Sequence, residues 1–222
     1  MYRLTLIVFR TARLLKMKLK NSIGARIAIL VVSLTLFGCN GSYKITEDDV
    51  TFDRHTGTIT HYHAEFKNIT IPDVLMGVAV KRIGAEAFFN RELTDVNLPN
   101  TVVHIGEQAF RRNRLTKITI PQSVTRIEES AFSKNLLTHV TIPSSLTKIE
   151  TKTFAYNQLT SVMIPDTVSV IGPLAFVENK RTHVVIPSSV KNIEQKAFAY
   201  NRLTSLVIPD TVQVIKLGAF FG

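Results

Sequence analysis

Six histidines and a single cysteine are the residues of this chain best suited to chemistry. His61 and His63 alternate onto one side of an extended run and could supply half of a metal site, but no third ligand lies near them in sequence. His104 reads as a turn residue. Cys39 has no second cysteine to pair with, so its thiol is free for another use, such as carrying a lipid. Serines and threonines abound, yet Ser123, Ser145 and Ser189 recur at fixed offsets, which a structural repeat explains better than nucleophilic catalysis. The chain has no Gly-rich phosphate loop, no nucleophile elbow and no clustered carboxylates of a catalytic motif. These residues predict no enzyme, no cofactor and no metal.

Charge and hydropathy explain where Cys39 sits. The formal net charge is +10. Arg3, Arg10, Arg13, Lys16, Lys18, Lys20 and Arg26 all precede Cys39, with no Asp or Glu among them. Of 27 basic residues, removing these 7 leaves 20 against 17 acidic ones, so the basicity belongs to a leader and nucleic acid is not an expected partner. Lys18, Lys20 and Arg26 form a positive region and Ile27–Phe37 an apolar core about half as long as a spanning helix needs, which favours a signal peptide over a permanent anchor. Leu36-Phe37-Gly38-Cys39 resembles a bacterial lipobox, which implies acylation of Cys39 and cleavage before it. An ordinary signal peptide with an incidental cysteine is the plainer alternative. Met17 stands where such a leader would start, so residues 1–16 read as an over-extended start, with a longer bipartite positive region as the other reading. The expected organisation is a signal peptide over 1–38, a polar tether over 39–49, an N-terminal cap and first strand over 50–80, and a repeat body over 81–222.

The body that must position everything else is periodic. Phe88, Phe110, Phe132, Phe154, Phe176, Phe198 and Phe220 stand 22 positions apart. A period in the twenties means a solenoid, whose units bury their apolar sides only against one another. Within one unit, Leu159, Val162 and Ile164 supply the apolar positions of a strand, and Pro165 ends its ladder for want of an N–H. Val168 and Ile171 point inward from a second, shorter limb, and Ala175-Phe176 places a small residue and an aromatic in the core. Asn113, Asn135, Asn157, Asn179 and Asn201 are expected to satisfy backbone groups of the turns. Val50–Asp53 and Thr58–Tyr62, around the turn 54–57, predict a hairpin that covers the first coil. Five extra residues around Gly77 predict a wider first turn.

The phrase NxLTxVxIPxSVxxIxxxAF, preceded by Phe52-Asp53, Thr56-Gly57-Thr58-Ile59-Thr60 and Ala87-Phe88, resembles the BspA-like (treponemal-type) leucine-rich repeat family over about residues 50–222. The resemblance implies a β-rich leucine-rich-repeat solenoid of 22-residue repeats with a concave parallel sheet. It also implies surface-displayed proteins that contact host matrix proteins or other cells, and it brings no catalytic motif. Three positions depart from the pattern. Arg91 stands at the ladder-asparagine position with Asn90 one place early, Thr153 replaces alanine, and Arg181 replaces leucine. The Phe220-Phe221-Gly222 end, without a polar capping unit, leaves an apolar coil that a partner or a second copy of the chain could cover.

In such a solenoid, binding falls to side chains projecting from the concave strands. One column reads Asp95, Lys117, His139, Ser161, His183 and Ser205, and the other Asn97, Thr119, Thr141, Met163, Val185 and Val207. His139 and His183 lie two coils apart, roughly 10 Å, too far to share one metal ion. The second column turns apolar at Met163, Val185 and Val207, and contiguous exposed apolar surface marks contact sites; β-branched residues also simply suit strands. The expected protein is a lipoprotein anchored in the outer membrane or cell surface through Cys39, binding a host or envelope protein without catalysis. A periplasmic scaffolding lipoprotein is the alternative.

Overall fold

Period-two alternation within each repeat puts one apolar residue inward between two outward ones, and a proline two places on stops the strand before it can lengthen. The computed structural model describes residues 41–180 and 183–222; the leader over 1–38, Cys39 with its expected acylation, and Arg181 lie outside the described residues. Ser42–Gly222 forms one compact unit, a β-solenoid of about 8 coils of roughly 22 residues.

Two parallel ladders run along it. The long-strand face comprises Tyr43–Lys44, Asn68–Thr70, Asp95–Asn97, Lys117–Thr119, His139–Thr141, His183–Val185 and Ser205–Val207, paired as sheets of three, two and two strands. Its middle residues Ile69, Val96, Ile118, Val140 and Val184 are buried. Met163 joins it through a parallel bridge to Thr141. The short-strand ladder contains Arg82–Ile83, His104–Ile105, Arg126–Ile127, Lys148–Ile149, Val170–Ile171, Asn192–Ile193 and Val214–Ile215. It breaks between Ile127 and Lys148 into sheets of five and four strands. His104 therefore opens a strand, where the sequence predicts a turn.

The expected hairpin cap is present. Val50–Asp53 pairs antiparallel with Thr58–Tyr62, and the latter pairs in parallel with Arg82–Ile83, feeding the hairpin into the short-strand ladder. Asp53 shapes the turn, accepting from the His55 N–H at 2.9 Å and the Thr56 hydroxyl at 2.6 Å. Gly57 is required there: its φ is +66°, and a Cβ would lie 2.5 Å from the Ala79 carbonyl. The wider first turn is a second small hairpin, Val74–Leu75 against Val78–Ala79. Met76 and Gly77 both have positive φ, as a two-residue turn matched to strand twist demands.

The tether over 39–49 is corrected over its second half. Tyr43–Lys44 is a strand paired with Asn68–Thr70, and Ile45 is buried with its N–H on the Thr70 carbonyl. The Asp49 carboxylate accepts from the Tyr43 hydroxyl, the Thr46 N–H and the Thr46 hydroxyl. Burial, reinforced by that carboxylate, pushes the Tyr43 hydroxyl up to about 12. The segment looks polar in sequence because a single isoleucine suffices to continue a ladder whose paired residues lie 26 positions on.

Inside, the seven phenylalanines stack with ring centroids 5.1 to 5.8 Å apart and interplanar angles of 4 to 14°. Tyr62 extends the stack into the cap, 5.2 Å from Phe88, while its hydroxyl reaches the Phe66 carbonyl. The five buried asparagines form a second ladder. Asn113 donates to the Phe88 and Phe110 carbonyls at 2.7 and 2.9 Å and accepts from the Leu93 N–H at 2.9 Å. One amide thus ties two neighbouring coils, and the arrangement repeats at Asn135 and Asn157. Thr153 is accommodated by donating to its own turn, at the Glu150 carbonyl.

The six turns at Phe88 through Phe198 each carry two non-glycine residues in the left-handed region, one two places before the phenylalanine and one two places after, such as Lys152 (φ 53°) and Tyr156 (φ 58°); at Phe220 both places are glycine. That conformation aims their N–H groups at the next coil, Lys152 at Pro173 and Tyr156 at Val177. It costs about 1–2 kcal/mol at a non-glycine residue. Lys152→Val should lower the unfolding free energy by about 1–2 kcal/mol, because β-branching is worst tolerated at positive φ, whereas Lys152→Gly should be close to neutral. Equilibrium urea denaturation of the pair checks this.

Candidate functional site

The two columns predicted from sequence are in register on the long-strand face: Lys117 opposite His139, Thr119 opposite Thr141, Thr141 opposite Met163, His183 opposite Ser205, and Val185 opposite Val207. The N-terminal half of this face is polar and internally bonded. Asn97 donates to the Thr70 hydroxyl at 3.1 Å, Thr70 shares a 2.8 Å bond with Ser42, and Lys117 lies 3.9 Å from Asp95. His139 bonds the Thr138 hydroxyl. The C-terminal half is apolar and open: Met163, Val185 and Val207 are 85, 66 and 55% exposed. Val185 and Val207 are paired in register, and Met163 stands one 22-residue repeat before Val185, so the three follow one column of this face.

The remaining candidates find structural partners. Ser123 and Ser189 donate to the Val102 and Val168 carbonyls of the preceding coils, and Ser145 does the same to Val124. These hydroxyls are ladder bonds between coils. His61 and His63 bring their rings to 6.5 Å. The Nη2 of Arg91 lies 2.6 Å from the His61 Nε2, and a guanidinium in that place repels a metal cation.

One cluster escaped the sequence. Glu107, Glu128, Glu129, Glu150 and Arg126 line a shallow depression of about 240 Å³ beside the short-strand ladder. Carboxylates 21 or 22 positions apart become neighbours only when coils stack. Each of three is matched by a cation: Glu128 by Arg126 at 3.1 Å, Glu150 by Lys148 at 2.7 Å, and Glu129 by Lys152 at 3.9 Å. Arg82 donates to the Nδ1 of His104 at 3.0 Å, and the His104 Nε2 lies 3.1 Å from Glu128. The cluster is a charge-balanced network on a solvated face. Among the described residues, no group of three or more His, Cys, Asp or Glu side chains is placed to hold a metal ion, and no helix is long and apolar enough to cross a membrane.

Comparison with known proteins agrees with this architecture. The sequence model of the BspA type Leucine rich repeat region matches residues 57–182 and 105–222, in six copies. No curated protein matches the chain. Among solved structures, a leucine-rich repeat protein of T. pallidum is 24% identical, with a TM-score of 0.63, over 73% of this chain and 81% of its own. A leucine-rich cell surface protein of Faecalibacterium prausnitzii is 28% identical, with a TM-score of 0.57, over 76% of this chain and 55% of its own. A leucine-rich repeat protein of Bacteroides ovatus is 23% identical, with a TM-score of 0.60, over 79% of this chain and 45% of its own. This chain thus spans about half the length of the latter two.

Proposed function

Because this chain belongs to the family of BspA-type leucine-rich-repeat proteins, we propose that it is a bacterial envelope lipoprotein, acylated at Cys39, which binds a protein of a host or of another cell through its long-strand face. Solenoids of this family are typically binding scaffolds, which supports a role without catalysis. Display at the bacterial surface accords with the family and with the F. prausnitzii cell surface protein of similar fold. The observation that carries the reading is the open stripe of Met163, Val185 and Val207, since large apolar side chains kept in water on a strand face lose free energy unless a partner covers them.

Charging the stripe tests it. The triple variant Met163→Glu, Val185→Glu, Val207→Glu should lose capture of its partner from host matrix and envelope extracts. Its unfolding free energy should change by no more than about 0.5 kcal/mol per site, because the side chains point outward. Retained capture by the folded triple variant would sink the stripe as the binding surface. Anchoring is tested separately: Cys39→Ser should abolish metabolic palmitate labelling and release the protein from membranes, and protease shaving of intact cells should remove the wild-type protein. Protection from the protease would favour a periplasmic scaffolding role.

A further inference from the structure

Met163 sets the stripe of the long-strand face apart chemically. At 85% it is the most exposed large apolar side chain among the described residues, so its thioether stands in water. The rest of its column offers an oxidant nothing comparable: Thr141 precedes it across the parallel bridge, and Val185 and Val207 follow. Sulfur in the described residues is otherwise confined to Met76, which is 41% exposed at the tip of the small hairpin in the first turn. The column therefore has one reactive atom, placed where the polar half of the face gives way to the apolar half.

A thioether in water reacts with two-electron oxidants such as hydrogen peroxide. The sulfur lone pair attacks one peroxide oxygen, an S–O bond forms as the O–O bond breaks, and the other oxygen leaves as water after proton transfer. Sulfur loses two electrons and the peroxide gains them. The product replaces a pliable apolar tip with a polar, chiral sulfoxide. In the free protein that oxygen stays solvated, so the fold loses nothing. Pressed against an apolar partner, it becomes a buried acceptor without a donor, and the loss falls on the complex. A reductase supplied with a dithiol reverses the change, removing the oxygen as water and leaving a disulfide.

We propose that Met163 is a reversible oxidation site through which peroxide closes the long-strand stripe to its partner. Such a switch rests on the protein-binding reading of the stripe, and the test separates the two. The full chain is treated with hydrogen peroxide over a time course, desalted, and digested for mass spectrometry. Sulfoxide should form at Met163 several-fold faster than at Met76, with urea denaturation unchanged. The desalted protein should capture its partner from host matrix extract roughly tenfold less well, the effect of one unpaired buried acceptor. Sulfoxide reductase with dithiothreitol should restore capture. Met163→Leu has no sulfur at this place, so its capture, at whatever level, should be indifferent to peroxide. Wild-type capture that survives oxidation of Met163 overturns the switch. A Met163→Leu variant that stays peroxide-sensitive overturns it too, as does a Met163 that oxidises no faster than Met76. The triple glutamate variant then shows which claim has failed. If it also keeps capture, the stripe is not the binding surface and the switch falls with it; if it loses capture, only the switch falls.

Discussion

Asn157→Ala should lower the unfolding free energy of the solenoid by about 3–5 kcal/mol, a loss out of proportion to a side chain of four heavy atoms. The Asn157 amide donates to the Phe132 carbonyl at 3.0 Å and to the Phe154 carbonyl at 3.2 Å, and its oxygen accepts from the Leu137 N–H at 3.1 Å. All of these groups are buried, and alanine leaves them unpaired without letting water in. An unpaired buried donor or acceptor costs about 1–3 kcal/mol, more than the net worth of the bond when made. Asn157→Asp separates this cause from simple loss of volume. The aspartate keeps the acceptor but must be protonated to face two carbonyls, so its folded-state carboxyl titrates above its unfolded one. The stability it contributes in the protonated form is fully present below about pH 4, the unfolded value, and is lost as pH rises. Urea denaturation of both variants from pH 3 to 7 checks this, and a pH-independent Asn157→Asp would show that the carbonyls are not the partners that matter.

Phe132→Ala should cost a comparable 4–6 kcal/mol. The ring is fully buried and stacked on both sides, 5.5 Å from Phe110 and 5.8 Å from Phe154, at 4° to each. Truncating a buried phenylalanine costs about 3–5 kcal/mol through lost transfer and the cavity left behind, and each aromatic pair adds about 0.5–1.5 kcal/mol. Phe132→Leu should recover about half the loss by refilling volume while leaving the stack broken. In a solenoid each coil contacts only its neighbours, so a defect at mid-length separates two blocks. Hydrogen exchange should show the coils on either side of Phe132 losing protection before the cap does.

Much of this fold was readable from side-chain chemistry repeated at a fixed interval. The phenylalanine period, the strand-ending prolines and the inward Val-x-x-Ile pairs act locally and identically in every unit, so their order alone predicts stacked coils. The cap hairpin was legible too, since β-rich runs around Asp53 and Gly57 fold within a few residues of each other. The strand Tyr43–Lys44 was not, because its partner residues Ile69 and Thr70 lie 26 positions away and a polar segment with one isoleucine looks like a linker. Tyr62 escaped for a related reason: it enters the aromatic stack off the 22-residue period, placed by the hairpin.

The candidate sites divide along the same line. Which residues project from the long-strand face followed from alternation, and the apolar run Met163, Val185, Val207 could be picked out before any coordinate. Sequence by itself determined the repeat, the two ladders and the outward columns, because each depends on interactions within one unit or between identical positions of adjacent units. Tertiary structure alone decided how the exceptions meet: Arg91 with His61 across 30 residues, His104 between Arg82 and Glu128, and the carboxylates Glu107, Glu128 and Glu150 gathered on one slope. Those meetings depend on side-chain reach and on the closing of the cap over the first coil. Repetition averages such contacts out, and only the packed chain makes them.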